Sequence, residues 1–342
     1  MHDFYSDTKT KPTAAMRRAV LDCEVGDEQK GEDQTTNALT ARVADLLGKE
    51  AAVFLPSGSM CNEIAVKAHT QPGDEIICER TCHIVNFETG APAALSGVMI
   101  RTLDGQNGIY EPDQVAEAIR PPSRYAPKSA LLCAEQTANL GGGAVWPVER
   151  LNAVAAVAKE AGLATHMDGA RLMNAAVKSG RPAMDHAAGF DSVWIDFTKG
   201  LGAPVGAVLA GSADFIDRAW RLKQQMGGAM RQSGIVASMC LHALDHHVAR
   251  LADDHALAAD LGERIAALNG VKAVMPVETN IIIFDLEDDA PEAVAVAARL
   301  ERAGVIIGAF GKRRIRVVTH LDVDQAAGEA LISALGEALT RR

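Results

Sequence analysis

Residues 191–206 read DSVWIDFTKGLGAPVG. The apolar run Val193-Trp194-Ile195 has the bulk of a buried strand, and a single lysine, Lys199, stands shortly beyond it. Gly200, Gly202 and Gly206 follow, and their missing side chains leave a backbone that another group can approach closely. The fold turns on whether that lysine closes a sheet strand in a domain that binds something at its edge.

Working outward, apolar runs of strand length recur at 51–55, 74–78, 98–101, 130–134, 164–167, 192–195 and 207–210. Helix-patterned segments lie between them, among them 34–47 and 147–161, the latter with Pro147 at its start. This alternation predicts an α/β domain with a mainly parallel central sheet and right-handed crossovers. Past residue 235 the texture changes to a long helical stretch over 236–268, a strand at 280–284, a helix over 290–303, a strand at 315–318 and a C-terminal helix. That order predicts a smaller C-terminal α+β domain, with the division placed between an N-terminal arm plus large domain (1–240) and a small domain (241–342).

The chain has 342 residues, 48% hydrophobic and 23% charged, with a formal net charge of −10. That balance suits an ordinary globular protein and disfavours nonspecific contact with nucleic acid. No basic arm interleaved with aromatics is present, so a nucleic-acid partner is not expected. The six cysteines are scattered and form neither a disulfide framework nor a paired zinc pattern, which suits reduced thiols in a cytoplasm. No apolar run is long enough for a membrane span, and the polar start MHDFYSDTKTKP has no signal core.

Three motifs carry chemistry. LPSGSMCNE (55–63) follows a strand and opens a helix, so Gly58 and Ser59 offer free N–H groups to a phosphate, although many α/β turns contain Ser and Gly. ATHMDGARLMN (164–174) puts Asp168 and Arg171 just past a strand, either as a structural ion pair or at the sheet edge where open α/β folds bind ligands. In the third, the opening stretch, a dinucleotide turn fits poorly, because no acidic ribose partner follows at the usual distance. A lysine against an apolar wall favours its neutral, nucleophilic form. A phosphate cup, an acid and such a lysine together are the set that pyridoxal 5′-phosphate requires.

Several stretches, in order, resemble the low-specificity L-threonine aldolases, pyridoxal-phosphate enzymes of fold type I, the aspartate-aminotransferase type. They are YSDTKTKPT (5–13), GDEQKGEDQTTN (26–37), LLGKEAAVFLPSGSMCN (46–62), HMDGARLMNA (166–175), TKGLGAPVGAVLAG (198–211), GGAMRQ (227–232) and IRVVTHLDV (315–323). The resemblance implies that Lys199 is the Schiff-base lysine, that Asp168 faces the pyridine nitrogen and that His83 stacks on the ring. It implies Gly58, Ser59 and Arg231 at the phosphate, and Ser6, Arg171 and Arg316 at the substrate carboxylate. The implied reaction is retro-aldol cleavage of L-threonine, L-allo-threonine or a related β-hydroxy-α-amino acid to glycine and an aldehyde. Homodimers or homotetramers with sites at subunit interfaces are implied as well, so that Lys30, Lys223 or Arg231 would serve a neighbouring subunit.

Two positions depart from the family pattern. Glu135-Gln136-Thr137-Ala138-Asn139 has Ala138 where the family has a histidine, and Lys30 stands where it has a tyrosine. Either His83 or a water then serves as base, or the pocket is enlarged at Ala138 and Lys30 draws an acidic substituent, favouring phenylserine or β-hydroxyaspartate. Racemisation or β-elimination on the same fold, and a binding or regulatory protein without catalysis, are the other classes weighed.

Overall fold

The computed structural model describes residues 1–340. Seven strands form the central sheet: β1 (Ala51–Leu55), β2 (Glu75–Glu79), β3 (Met99–Leu103), β4 (Ser129–Glu135), β5 (Ala164–Gly169), β6 (Ser192–Asp196) and β7 (Ala207–Gly211). They lie in the order β1-β7-β6-β5-β4-β2-β3. Every neighbouring pair is parallel except the two that involve β7, which runs antiparallel to β1 and β6. β2, β4, β6 and β7 are buried along their whole length, as strands covered on both faces must be. The sheet is the α/β arrangement that the alternation predicted.

Helices cover the faces where the sequence supplies both a stripe and its ends. In α1 (Gln34–Leu47) the Asp33 carboxylate accepts the Thr36 N–H, and Gly48 closes the helix in the left-handed conformation. In α2 (Gly58–His69) the Ser57 hydroxyl accepts the Met60 N–H. The helical stretch expected over 236–268 is two helices, α3 (Gly234–His246) and α4 (Leu251–Ala266). No glycine or proline marks the break. Asp253 and Asp254 fall in the first turn of α4, where carboxylates favour a new N-terminus, and Arg250 pairs with Asp254.

Val271–Val274, Ile281–Leu286, Gly308–Ala309 and Arg314–Val318 build a second, antiparallel sheet, backed by Ala293–Arg302 and Gln325–Leu339. Its core joins Ile282, Phe284, Leu300, Val317 and Leu331 with Leu257 and Leu261 of α4. Phe4 belongs to this core too, and His2–Asp3 pairs with Val305–Ile306. The N-terminal arm therefore rests on the C-terminal layer, and residue 240 lies inside α3, which packs on α1.

Candidate active site

In a parallel sheet the strand ends that share one edge bring distant residues together, and β2, β4, β5 and β6 do so here. Glu135 at the end of β4 is the register partner of Asp168 on β5, and Asp168 is in turn the partner of Trp194 on β6. Lys199 follows β6, and His83 opens the short helix His83–Asn86 after β2. A concavity of about 620 Å³ between Pro121–Ser129 and Leu163 lies at the opposite, N-terminal edge and shares none of these residues.

Asp168 is buried, and its carboxylate accepts from the Asn62 amide (2.9 Å) and the Ala170 N–H (3.0 Å). Burial raises its pKa, opposed by the nearby charges of His83 and Lys199. Glu135 beside it is pushed up to about 7 by burial and then by the Asp168 charge. An acid whose charge is desolvated, with neutral donors only, is matched to a further cationic N–H such as a pyridinium.

Lys199 does not stand against an apolar wall alone. Its ammonium pairs with Asp196 at 2.7 Å and lies 5.7 Å from the Trp194 ring. The expectation of a purely apolar wall is therefore corrected: β6 delivers its own carboxylate beside the amine, because Asp196 ends the strand and Lys199 turns back towards it. Thr198 anchors the same carboxylate through its N–H and hydroxyl.

His83 is held from two sides. Its backbone N–H donates to Glu135 (2.7 Å), and its Nδ1 meets Glu88 at 2.8 Å. Burial works against a charged imidazole here, but the Glu88 hydrogen bond and the charges of Asp168, Glu88 and Glu135 together lift the His83 pKa above its ordinary value. His83, Glu88 and Asp168 also bring one ligand atom each within 4.8 Å, a spacing compatible with a metal ion. Two of the three already serve as partners of Asn62, so the cluster is read as one hydrogen-bonded network.

Gly58 and Ser59 begin α2, and the N–H groups of a first turn have no acceptor within the helix. Ser57 occupies only that of Met60, and the exposed Ser59 keeps the cup open to an anion. A β-carbon at Gly58 would fall inside the Trp194 ring, so glycine is required there by the indole. Amine, acid, imidazole and anion cup fit pyridoxal 5′-phosphate as a set.

The two candidate arginines differ. Arg171 does not pair with Asp168; it is buried and bidentate to Asp7, with Nε and Nη2 each at 2.7 Å. Burial opposes ionisation of Asp7, but the Arg171 guanidinium overrides it and holds the carboxyl well below its usual range. The arginine nominated for the substrate is thus already neutralised by the N-terminal arm, where Ser6 adds a long 3.4 Å contact to the same Asp7. Arg316 has only neutral acceptors, Asn139 Oδ1 at 2.9 Å and the Tyr5 carbonyl at 3.2 Å, and lies over the Phe310 ring. Its Nε is buried without a partner, and among the described residues no carboxylate pairs with it. Burial, then the neighbouring Arg171, brings its pKa down to about 10. Arg316 is the cation left for an anion.

Ala138 is buried, with its β-carbon against the close-approaching backbones of Gly108 and Gly141. At this position the loop around Gly108 packs directly against the Ala138 methyl group. Lys223, expected to reach a neighbour, is fully buried in its own chain, paired with Glu28 and 4.2 Å from the Trp220 ring. Lys30 is exposed, and Arg231 is exposed and paired with Asp27. Bonds from Glu28 N–H to the Arg231 carbonyl and from Gln29 to the Met230 carbonyl join both to one surface patch.

Sequence reasoning missed Asp7, Asn62, Glu88, Asn139 and Asp196. Asp7 and Asn62 stand inside the resembling stretches 5–13 and 46–62, yet their partners lie far off in the chain and no local pattern announces them.

The family model for beta-eliminating lyases matches residues 3–289. The low-specificity L-threonine aldolase of Escherichia coli K12 is 38% identical over 326 residues, 95% of each chain. Low-specificity L-threonine aldolase 1 of Arabidopsis thaliana is 37% identical over 343 residues, 98% of this chain and 96% of the plant protein. Among solved structures, the threonine aldolase of Leishmania major superposes with a TM-score of 0.83 at 21% identity, over 99% of this chain and all of the other. A serine palmitoyltransferase of Sphingomonas wittichii shares the fold at a TM-score of 0.77 and 19% identity, covering 98% of this chain and 86% of its own.

Proposed function

The chain belongs to the beta-eliminating lyase family, and from that premise we propose that it cleaves L-threonine or L-allo-threonine to glycine and acetaldehyde. It is a carbon–carbon lyase with pyridoxal 5′-phosphate as cofactor. The observation that carries the reading is the gathering of Lys199, Asp168 and His83 at one sheet edge beside Arg316, a buried guanidinium without a carboxylate.

Lys199 would hold the cofactor through its amine, Asp168 would face the pyridine nitrogen, His83 would cover the ring, and Gly58 with Ser59 would take the phosphate. The cofactor supplies an electron sink for the pair released when the Cα–Cβ bond breaks. Asp168 serves it by keeping a negative charge in a site that excludes water. Arg316 takes the substrate carboxylate, which fixes how the breaking bond is directed. His83, its Nδ1 engaged by Glu88, presents Nε2 to the β-hydroxyl proton. Asp196 pairs with the Lys199 ammonium, keeping the released amine in place. Arg171 acts through Asp7, fixing the arm whose Tyr5 carbonyl accepts from Arg316.

The functional unit would be a homodimer or homotetramer, in which the exposed Lys30 and Arg231 would meet a neighbouring subunit, and six unpaired thiols suit a cytoplasmic home. Among the described residues no helix is long and apolar enough to cross a membrane.

The test is aldehyde release from both threonine diastereomers, phenylserine and β-hydroxyaspartate, alongside the visible absorbance of the cofactor-loaded protein. Threonine turnover with a band that disappears in Lys199→Ala is expected. Exchange of the α-hydrogen without aldehyde would instead make the chain a racemase or an eliminating enzyme.

A further inference from the structure

Behind His83 lies a group of buried carboxyls with more oxygens than donors. Glu63 on α2 and Glu88 are 4% and 6% exposed, and three of their oxygens (both of Glu63 and Oε2 of Glu88) are buried without a hydrogen-bond partner. Two facing carboxylates cannot satisfy each other, since an ionised carboxyl only accepts. One retained proton would turn that conflict into a bond.

The network fixes where the proton sits. The Trp194 indole can only donate, and it donates to Asn62 Oδ1 at 2.7 Å. The Asn62 nitrogen must therefore be the atom that meets Glu88 Oε1 at 2.6 Å and Asp168 Oδ2 at 2.9 Å. Glu88 Oε1 thus accepts, from Asn62 and also from the His83 Nδ1 side at 2.8 Å. Two donors stabilise the anion on Glu88, whereas among the described residues neither Glu63 oxygen has a donor and the Glu88 charge acts against its ionisation.

We propose that Glu63 is a carboxylic acid in the folded protein, donating to Glu88 Oε2, and that it is a positioning residue. Its proton lets Glu88 remain an anion, which fixes His83 with Nδ1 protonated and Nε2 open to the substrate. Burial first, then the Glu88 contact and charge, push the Glu63 pKa up to about 9, so the proton is kept through the neutral range. The groups facing the pair are Asn62 from α2, His83 after β2, the Cys133 thiol of β4 and Asp168 of β5. The last step, His83 acting on a β-hydroxyl, rests on the function proposed above; the protonation of Glu63 does not.

The experiment compares wild type with Glu63→Gln, which can still donate, and Glu63→Leu, which cannot. Cofactor-free protein is unfolded in urea from about pH 5 to about pH 8. A folded-state pKa raised above the unfolded value means that folding takes up a proton in this window. Wild type should therefore lose stability with rising pH, about tenfold per unit in the unfolding constant relative to Glu63→Gln. Parallel curves would overturn the proposal. Nitrogen-15 titration of His83 in the same proteins reads the second link. His83 should titrate alike in wild type and Glu63→Gln and about half a unit or more lower in Glu63→Leu. An identical titration in all three would overturn the positioning role. If the acid limb of aldehyde release stays put while the His83 titration moves, His83 is not the base. That result sinks the function's last step and leaves the acid on Glu63 standing.

Discussion

Asp7 and Arg171 bury two opposite charges at the joint between the N-terminal arm and the sheet edge, with Asn280 donating to the same carboxylate at 3.1 Å. Such a pair need not stabilise relative to apolar residues, but breaking it leaves one buried charge without compensation. Asp7→Asn is therefore expected to destabilise the chain by about 3–5 kcal/mol at neutral pH. The sign of the pH dependence follows from the depressed Asp7 pKa. Its contribution is complete above the ordinary carboxyl range and is lost as pH falls towards the folded-state value. Urea unfolding should show a wide gap between wild type and Asp7→Asn near about pH 7 that narrows below about pH 4. A gap of constant width would mean that the ion pair is not its source. The same residue engages the guanidinium that the family resemblance puts at the substrate carboxylate. A guanidinium just past a strand looks available until the arm, far off in the chain, is seen to fill it.

The start of α2 is the element on which the anion cup depends, and its geometry rests on Trp194 lying against Gly58. Gly58→Ala would drive the indole aside, and overpacking of this kind costs about 1–3 kcal/mol. Because the same indole donates to Asn62, which donates to Asp168, the displacement reaches the acid as well as the cup. Titration with pyridoxal 5′-phosphate should show a larger loss of affinity in Gly58→Ala than in Ser59→Ala, together with a lower melting temperature. Unchanged affinity and stability in Gly58→Ala would refute the packing argument. Elements of this kind were legible in the sequence where one local signal decides them. The helix over 34–47 has its Asp33 cap and its Gly48 stop, and the buried strands are continuous apolar runs bounded by turns. The break between α3 and α4 was not legible, because HHVAR contains no breaker and the new helix starts on acidic residues that a longer helix also tolerates. In the site, Asp168 is legible because strand ends mark ligand positions and Lys199 because it follows a buried strand into a glycine turn, whereas His83 enters through the family resemblance alone. The partners Asp196, Glu88 and Asn62 were not legible, since polar residues next to a motif look like solvated ones until the strands are placed side by side.

Across the whole molecule, residues 27–31 and 230–231 form one surface patch, separate in the chain from the strand that ends at Asp196. Lys223 is consumed within the patch by Glu28, which leaves Lys30 and Arg231 as its outward cations. In an assembly with two-fold symmetry a surface patch and a site edge can face each other in two equivalent copies. If Arg231 completes a partner's site, one subunit can carry the damage for both. Lys199→Ala and Arg231→Ala proteins, each inactive or impaired alone, are unfolded together, refolded together and assayed for aldehyde release. A mixed dimer would contain one site with an intact Lys199 and an intact Arg231 from the other chain. With random pairing, about a quarter of wild-type activity returns, since half the dimers are mixed and half their sites are whole. If Arg231 serves its own chain, every site in the mixture carries one of the two lesions, and activity never exceeds the sum of the separate variants. The two outcomes differ in kind rather than degree, so the refolded mixture decides whether this fold works as one chain or needs its copy.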